Sequence, residues 1–302
     1  MLRLATRGSP LALWQARHVA GLLRAAHPGL QVELLPVATA GDRAPEVPVW
    51  EMGGRGVFVG EVQAAVLAGM AEAAVHSAKD LQPVEAPGLS LAATPKRGDP
   101  RDALVGCRLS DLRPGRVVAT GSQRRRAQLA ALRPGLVFES LRGNIATRLE
   151  RVPPGGAAVV AAAALDRLGL SPQPMEVLGT DVMLPQVAQG AIAVECRADD
   201  EETRALVLRL NDAPTRAAVD AERAFLAFIG GGCDLPVAAH ATLLAGGLLR
   251  LEALLAAPDG SAVVRRSAEA PAGDRLALGR QVGEAVLAGG GEQLLASYRA
   301  RG

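Results

Sequence analysis

The chain has 302 residues, of which 49% are hydrophobic and 21% charged, and its formal net charge is +2. These values are typical of a globular protein with room for two or three domains, and they exclude a disordered chain or a polyanion-binding tail. The N-terminus enters a strand-like run without the apolar core of a signal peptide, and no apolar run has the length of a membrane span. We therefore expect a cytoplasmic protein.

Cysteine and lysine usage adds two signals. Cys107, Cys196 and Cys233 are odd in number, far apart and without metal-ligand spacing, so the sequence predicts neither a disulfide framework nor a metal site. Nearly all basic residues are arginine, and lysine occurs only at Lys79 and Lys96. A retained lysine indicates a position that needs a compact ammonium group.

The first elements predict an anion site. Residues 2–6 have the pattern of a strand, and Ser9 can cap a helix that has Pro10 in its first turn. A helix that starts after a short turn presents free backbone N–H groups to a carboxylate or phosphate, here with Arg7 beside them. An ordinary strand-to-helix turn with a surface arginine explains these residues equally well.

The next segment predicts a lid and a polar strand end. Residues 39–58 are glycine-rich and lack sustained periodicity, which favours a mobile lid that carries Arg55. After a helix at 59–68, a strand at 73–75 leads into His76, Ser77, Lys79 and Asp80. Open α/β sheets bind ligands at such strand ends. A surface ion pair between the lysine and the aspartate is the alternative.

The strand, turn and helix pattern then repeats. A strand at 116–120 and a helix at 123–132 flank Ser122, which suggests two α/β domains that face a shared cleft. Consecutive arginines on a helix point in different directions, so we expect Arg124 and Arg125 to face the cleft and Arg126 to leave it. Further arginines follow at Arg142, Arg148 and Arg167.

The remaining chain predicts a crossing, a cysteine loop and a small third domain. Residues 184–191 have the character of an interdomain crossing, and a helix at 200–210 ends at a linker. A helix at 216–229 is ended by glycines, which places Cys233 on a loop. A cysteine there suits an attachment point or a nucleophile, although free cysteines are more often buried and inert. A hairpin and a helix follow within 248–288.

Together the motifs resemble the porphobilinogen deaminase family, also called hydroxymethylbilane synthases. Any one match is weakly specific, but the set is very specific, occurs in the family's order and covers most of the chain up to about residue 240. The matching segments are Arg7-Gly8-Ser9-Pro10-Leu11-Ala12, Gly53-Gly54-Arg55-Gly56-Val57-Phe58, His76-Ser77-Ala78-Lys79-Asp80, Thr120-Gly121-Ser122-Gln123-Arg124-Arg125, Arg142-Gly143-Asn144-Ile145-Ala146-Thr147-Arg148 and Gly231-Gly232-Cys233-Asp234-Leu235-Pro236.

The resemblance implies an α/β fold. Two periplasmic-binding-protein-like domains of type II would surround a cleft, and a small C-terminal α+β domain would carry the cofactor cysteine. Applied to this chain, domain 1 comprises residues 1–96 and 190–212, domain 2 residues 97–189 and domain 3 residues 213–302. We expect a monomer that acts on a small molecule, without nucleic acid or membrane.

The resemblance also implies the reaction and its residues. Four porphobilinogen molecules would be joined stepwise, with loss of ammonia, onto a dipyrromethane cofactor held by a thioether to Cys233, to release hydroxymethylbilane. Asp80 would be the catalytic carboxylate. The residues implied to bind cofactor are Lys79, Ser122, Arg124, Arg125, Arg142 and Arg148, and those implied to bind substrate are Arg7, Ser9, Arg55 and Arg167.

Two positions depart from the family's pattern. Arg55 stands where lysine is common, which should preserve a carboxylate contact with altered geometry. Ala188 stands where glycine is common, which puts a left-handed backbone in doubt at that position.

The chemistry fits these residue types independently of the family. Each pyrrole carries an acetate and a propionate, so the growing chain is a polycarboxylate that suits planar, bidentate arginine. Loss of ammonia leaves a cationic azafulvene, and the attacking pyrrole is also cationic until it loses a proton. One buried carboxylate near the pyrrole N–H groups can stabilise both charges. Either that carboxylate or water can remove the proton.

Two other classes of protein share some of these features. A solute-binding protein would have the same two-domain clamp, but it would normally be exported and carry a signal peptide. A nucleic-acid-binding module could use the same arginines, but the balanced charge and an aromatic content of 2% disfavour it.

Overall fold

The computed structural model describes residues 1–43, 56–231 and 235–299. The chain forms two compact units: unit 1 comprises residues 1–99 and 190–216, and unit 2 comprises residues 100–189 and 217–302. The finer division of the chain into three domains stays a prediction. Arg55 and Cys233 lie outside the described residues.

The helices and strands alternate along both units, with three antiparallel strands near the C-terminus. In chain order they are β1 Leu2–Arg7, α1 Pro10–Ala26, β2 Val32–Val37, α2 Ala40–Arg43, α3 Gly60–Leu67, β3 Ala73–Ser77, β4 Leu89–Ala93, β5 Asp102–Val105, β6 Val117–Ala119, α4 Gln123–Leu132, β7 Val137–Glu139, α5 Ile145–Glu150, β8 Ala157–Ala161, α6 Ala162–Arg167, β9 Met175–Val177, β10 Ile192–Arg197, α7 Glu201–Leu208, α8 Ala213–Ile229, β11 Val237–Leu243, β12 Leu248–Ala256, β13 Val263–Pro271, α9 Arg275–Val286 and α10 Glu292–Arg299.

The sheet of unit 1 has the strand order β2-β1-β3-β10-β4. β1 is parallel to β2 and β3, whereas β10 is antiparallel to β3 and β4. Because side chains alternate across a strand, Leu4 of β1 packs with Val19 of α1 on one face, and Ala5 packs with Val62 of α3 on the other. Both faces are therefore covered by helices.

The first sheet of unit 2 has the same arrangement, in the order β7-β6-β8-β5-β9. β6 is parallel to β7 and β8, and β5 is antiparallel to β8 and β9. The repeated strand, turn and helix pattern thus occupies the same place in both sheets, as β1 with α1 and as β6 with α4. The predicted α/β class, with two similar sheet units and a small C-terminal sheet and helix region, is confirmed.

The C-terminal strands form the antiparallel sheet β11-β12-β13. The predicted hairpin is present as β12 and β13, although β13 runs on to Pro271, and β11 was not predicted. Leu254 and Ala256 of β12 pack with Ala127 of α4 and with Leu184 in one buried cluster. This sheet therefore packs against α4, the helix that carries the arginine triplet Arg124, Arg125 and Arg126.

Ala188 keeps the left-handed backbone that its departure from glycine puts in doubt, with φ of 60°. This conformation costs a non-glycine residue about 1–2 kcal/mol. The Ala188 N–H donates to Oε2 of the fully buried Glu222 at 2.6 Å, and Oε1 of the same carboxylate accepts from Ala241 N–H at 2.8 Å. Glu222 on α8 thus fixes the crossing segment and β11 together.

The helices of residues 1–43, 56–231 and 235–299 include none with the length and apolar character that a membrane span requires.

Gly260, in the turn between β12 and β13, lies against α4. It has φ of +74°, and a Cβ atom there would lie 2.4 Å from the backbone N of Ala131. We expect Gly260→Ala to lower the free energy of unfolding by about 1–3 kcal/mol more than Gly246→Ala. Both variants place an alanine in the left-handed backbone region, but only at position 260 does the added methyl group also clash with α4. Gly246 is the matched control, since it has the same φ of +74° with no atom within 4 Å.

Thermal and denaturant unfolding of both variants measures this difference. Equal losses would show that the turn does not press on the helix as described.

Candidate functional site

The anion site predicted at the start of α1 has the expected local structure. Ser9 is the N-cap, its Oγ accepts a hydrogen bond from Ala12 N–H at 3.3 Å, and Pro10 is the first helical residue. The Ser9 hydroxyl still has its own proton to donate to a ligand. Arg7 ends β1, and its guanidinium carbon lies 4.2 Å from the ring centroid of Phe58. Backbone N–H groups, a hydroxyl and a cation therefore meet at one strand end.

Lys79 and Asp80 lie at the same edge of this sheet. They belong to a short 3-10 turn, Ala78–Asp80, that follows β3 directly, and both side chains are half-buried. β1 and β3 are parallel, with Leu4 opposite Ala73, so their carboxyl ends coincide. The structure thus brings Arg7, Lys79 and Asp80 to one edge of unit 1.

In unit 2 the arginine triplet follows Gln123, the first residue of α4. Ser122 is its N-cap and accepts from Arg125 N–H at 3.4 Å. The residues Arg124 and Arg125 are 3% and 6% exposed, whereas Arg126 is exposed and lies over the Phe138 ring. Arg126 therefore points away from its two neighbours, as the helical spacing predicts.

Asp102, at the start of β5, binds both buried arginines. Its Oδ2 accepts from Arg124 Nη1 at 2.7 Å, and its Oδ1 accepts from Arg125 Nη2 at 2.7 Å and Nε at 3.0 Å. Gln189 Nε2 donates to the same Oδ1 at 2.9 Å. Arg125 Nη1 also donates to the carbonyl oxygen of Val159 at 2.8 Å, so each of its nitrogens has a partner.

The charges of this cluster do not balance. Burial by itself raises the pKa of Asp102, but the positive charges of Arg124 and Arg125 and the hydrogen bonds hold that pKa well below its usual range. Burial lowers the pKa of Arg124 against the raising effect of Asp102, and the like charge of Arg125 lowers it further. Within the described residues, Asp102 is the one carboxylate that binds these two guanidinium groups.

Arg124 has donors available for a further anion. Its Nε and Nη2 are buried, and neither has a hydrogen-bond partner among the residues that the structure describes. Buried donors without partners are costly, and a carboxylate is the acceptor that a guanidinium edge fits best. The site is therefore suited to a carboxylate-bearing group.

Three further arginines follow the parallel strands of the same sheet. Arg142 follows β7, and Arg148 of α5 donates from Nε to the carbonyl oxygen of Gly143 at 2.8 Å. Arg167 ends α6, which follows β8, and its partial burial lowers its pKa to about 10 against the raising effect of Asp166. Because β6, β7 and β8 are parallel, these arginines and Ser122 follow strand ends at one edge of unit 2.

The two described cysteines are poor nucleophiles. Cys196 is fully buried on β10, and burial raises the pKa of its thiol to about 11. Burial, with the charge of Asp111, also raises the pKa of the half-buried Cys107. Thiolate formation is disfavoured at both positions.

The sequence analysis did not identify Asp102 or Gln189. Asp102 could have been recognised from its position immediately before the apolar run Ala103–Val105. If that run is a buried strand, the carboxylate needs a partner of opposite charge. Within the described ranges, no three His, Cys, Asp or Glu side chains are grouped so as to hold a metal ion.

Comparison with known proteins identifies relatives over the whole chain. Residues 2–205 match the family model "Porphobilinogen deaminase, dipyromethane cofactor binding domain", and residues 216–288 match "Porphobilinogen deaminase, C-terminal domain". A porphobilinogen deaminase of Acidothermus cellulolyticus is 46% identical over 311 aligned positions, which cover 100% of this chain and 93% of that protein.

Two solved structures illustrate the similarity at low sequence identity. A lipoprotein from Ruminococcus gnavus has a TM-score of 0.41 at 11% identity, over 69% of this chain and 90% of that one. A substrate-binding protein of an amino acid ABC transporter from Streptococcus pneumoniae has a TM-score of 0.35 at 15% identity, over 76% of this chain and 90% of that one.

Proposed function

The chain belongs to the porphobilinogen deaminase family, and from this premise we propose which of its residues perform the reaction. The enzyme is a transferase that joins four porphobilinogen molecules stepwise onto a covalently bound dipyrromethane and releases ammonia and hydroxymethylbilane. The roles below are assigned residue by residue from the family's motifs, and the contacts that the structure gives the described side chains support several of them.

The observation that carries the assignment is the buried, unpartnered edge of Arg124 beside Asp102. Dipyrromethane bears acetate and propionate groups, so its carboxylates supply the missing acceptor and the missing negative charge. When bound through Cys233, the cofactor supplies the pyrrole carbon to which the first substrate is joined. Lys79, Ser122, Arg125, Arg142 and Arg148 are the other residues that we assign to its binding.

Cys233 is the attachment residue. Both other cysteines have raised thiol pKa values, and one of them is fully buried, so neither competes as a nucleophile. Cys233 lies outside the described residues, and its assignment rests on its place in the family motif and on the loop that the glycines predict.

Substrate carboxylates bind at arginines and at the start of α1. Ser9 and Arg7 offer a hydroxyl, a cation and helix N–H groups at one strand end, and Arg167 offers a partly buried guanidinium at the end of α6. Arg55, outside the described residues, is the fourth member of this set.

Asp80 performs the electrostatic part of the chemistry. Its half-buried carboxylate follows β3 at the sheet edge that also carries Arg7. There it stabilises the positive charge that develops on the substrate as ammonia leaves and as the new bond forms. Lys79 beside it holds a carboxylate of the bound chain.

We further propose that the enzyme is a cytoplasmic monomer with three domains at the boundaries given above. It acts on a small molecule and binds no nucleic acid. Free thiols at Cys107 and Cys196 suit a reducing compartment, and the near-zero net charge suits a partner other than nucleic acid.

The intact mass of the purified protein tests the cofactor and its attachment. We expect a mass above that of the polypeptide by one dipyrromethane, and we expect Cys233→Ser to abolish the increase because the thioether cannot form. Cys107→Ser and Cys196→Ser are matched controls and should keep it. An unmodified mass in an active preparation would contradict the proposal.

The arginine assignment is tested by Arg124→Leu against Arg126→Leu. We expect the first to raise KM about tenfold or more and to reduce the fraction of protein that carries the cofactor, because a charged hydrogen bond contributes about 1.5–3 kcal/mol. The second removes an exposed charge and should change neither quantity. Equal losses would show that the orientation of α4 has no bearing on binding.

Asp80→Asn tests the catalytic carboxylate. The substitution keeps the shape and removes the charge, so we expect an unchanged melting temperature and a rate lower by a factor on the order of a hundred or more. Asp80→Glu should retain more activity. Rapid-quench turnover with mass spectrometry should show every addition slowed, whereas a block confined to the last addition would assign the chemistry to another group.

A further inference from the structure

A buried polar cluster lies inside unit 1, immediately before the turn that carries Asp80. His76 of β3 is 4% exposed and Glu195 of β10 is 2% exposed. His76 Nε2 lies 3.1 Å from Glu195 Oε2, in an electrostatic contact that is not aligned as a hydrogen bond. The same carboxylate oxygen accepts from Gln63 Nε2 of α3 at 2.9 Å. We call these three residues the His76 cluster.

The His76 cluster occupies an otherwise apolar face. The residue that precedes His76 on the same side of β3 is Ala74, which packs with Val62 and Val66 of α3. Burying a carboxylate and an imidazole among such residues costs free energy, and buried pairs seldom contribute net stability relative to apolar residues of similar volume. Stability alone therefore does not explain why these groups lie at this end of the strand.

The opposite face of the same strand end is also held by a polar contact. Ser77 Oγ lies 2.8 Å from Gln15 Nε2 and 3.1 Å from Gln15 Oε1, on α1. Ala78 N–H, the first of the turn, donates to the carbonyl oxygen of Ala191 at 3.0 Å. His76 thus contacts Glu195 of β10, whose carboxylate also binds α3. Ser77 is held by α1, and Ala78 is held by Ala191, the residue before β10.

We propose that the His76 cluster is a positioning device for Asp80. The cluster sets how β3 ends against β10 and α3, and this geometry fixes the turn Ala78–Asp80. Displacement of a catalytic group by about 1 Å can lower a rate by a factor on the order of a hundred. The inference rests on the role proposed above for Asp80, but it assigns a function to His76 and Glu195, which are buried inside unit 1.

Kinetics of the cofactor-loaded enzyme test this proposal with Glu195→Gln, which keeps the side-chain shape and removes the charge that faces His76. We expect kcat to fall on the order of tenfold while KM changes less than about twofold and the intact mass shows full cofactor loading. The arginines that bind carboxylates are untouched, so binding should persist. Gln63→Ala, at a less buried residue, should lower kcat by a smaller factor and carries the test if Glu195→Gln does not fold.

Glu72→Gln is the matched control at the other end of the same strands. Glu72 precedes β3, and its carboxylate binds Arg3 of β1 through Nη2 at 2.6 Å. We expect this variant to lower the melting temperature without changing kcat.

Three results would overturn the proposal. One is a wild-type kcat in Glu195→Gln with a melting temperature lowered as in Glu72→Gln, which makes the cluster structural only. Another is a parallel loss of kcat, KM and cofactor loading, which makes it a general support of the fold. Failure of the loaded wild-type protein to condense porphobilinogen would overturn the proposed function as well, and the wild-type assay separates that case from the others.

Discussion

The contact between Asp102 and the two arginines of α4 is the interaction on which the arrangement of arginines in unit 2 depends. The carboxylate fixes both guanidinium groups in one orientation before any ligand arrives, so little side-chain freedom remains to be lost on binding. It neutralises only one of the two charges. Arg124 keeps two buried nitrogens without a partner among the described residues, and these are the donors that we propose for a carboxylate of the cofactor.

Parallel strands explain why residues distant in sequence act together. In unit 1, β1 and β3 end at one edge and carry Arg7 and the turn with Asp80. In unit 2, β6, β7 and β8 end at one edge, and Ser122, Arg142 and Arg167 follow them. The same strand order in both sheets therefore produces one edge of unit 1 that carries Asp80 and one edge of unit 2 that carries several guanidinium groups.

Three buried carboxylates join elements from separate parts of the chain. Asp102 joins β5 to α4, Glu195 joins β10 to α3 and β3, and Glu222 joins α8 to β11 and to the left-handed Ala188. Each is at most 2% exposed. Such groups contribute little net stability, but they disfavour alternative packings because any slip leaves a buried charge unpaired.

The amino-acid sequence by itself determined the family, the two strand, turn and helix repeats, the capped start of α1 and the outward direction of Arg126. These depend on local spacing and on residue types that only a few conformations satisfy. It did not reveal β11, the pairing of Asp102 with the arginines, the contacts of Glu195 with His76 and Gln63, or the left-handed alanine that Glu222 holds. The contacts of these carboxylates join residues 19 to 132 positions apart, as from Glu222 to Ala241 and from Gln63 to Glu195. Only the tertiary structure decided them, because a buried charge acquires its partner when strands and helices from separate parts of the chain pack together.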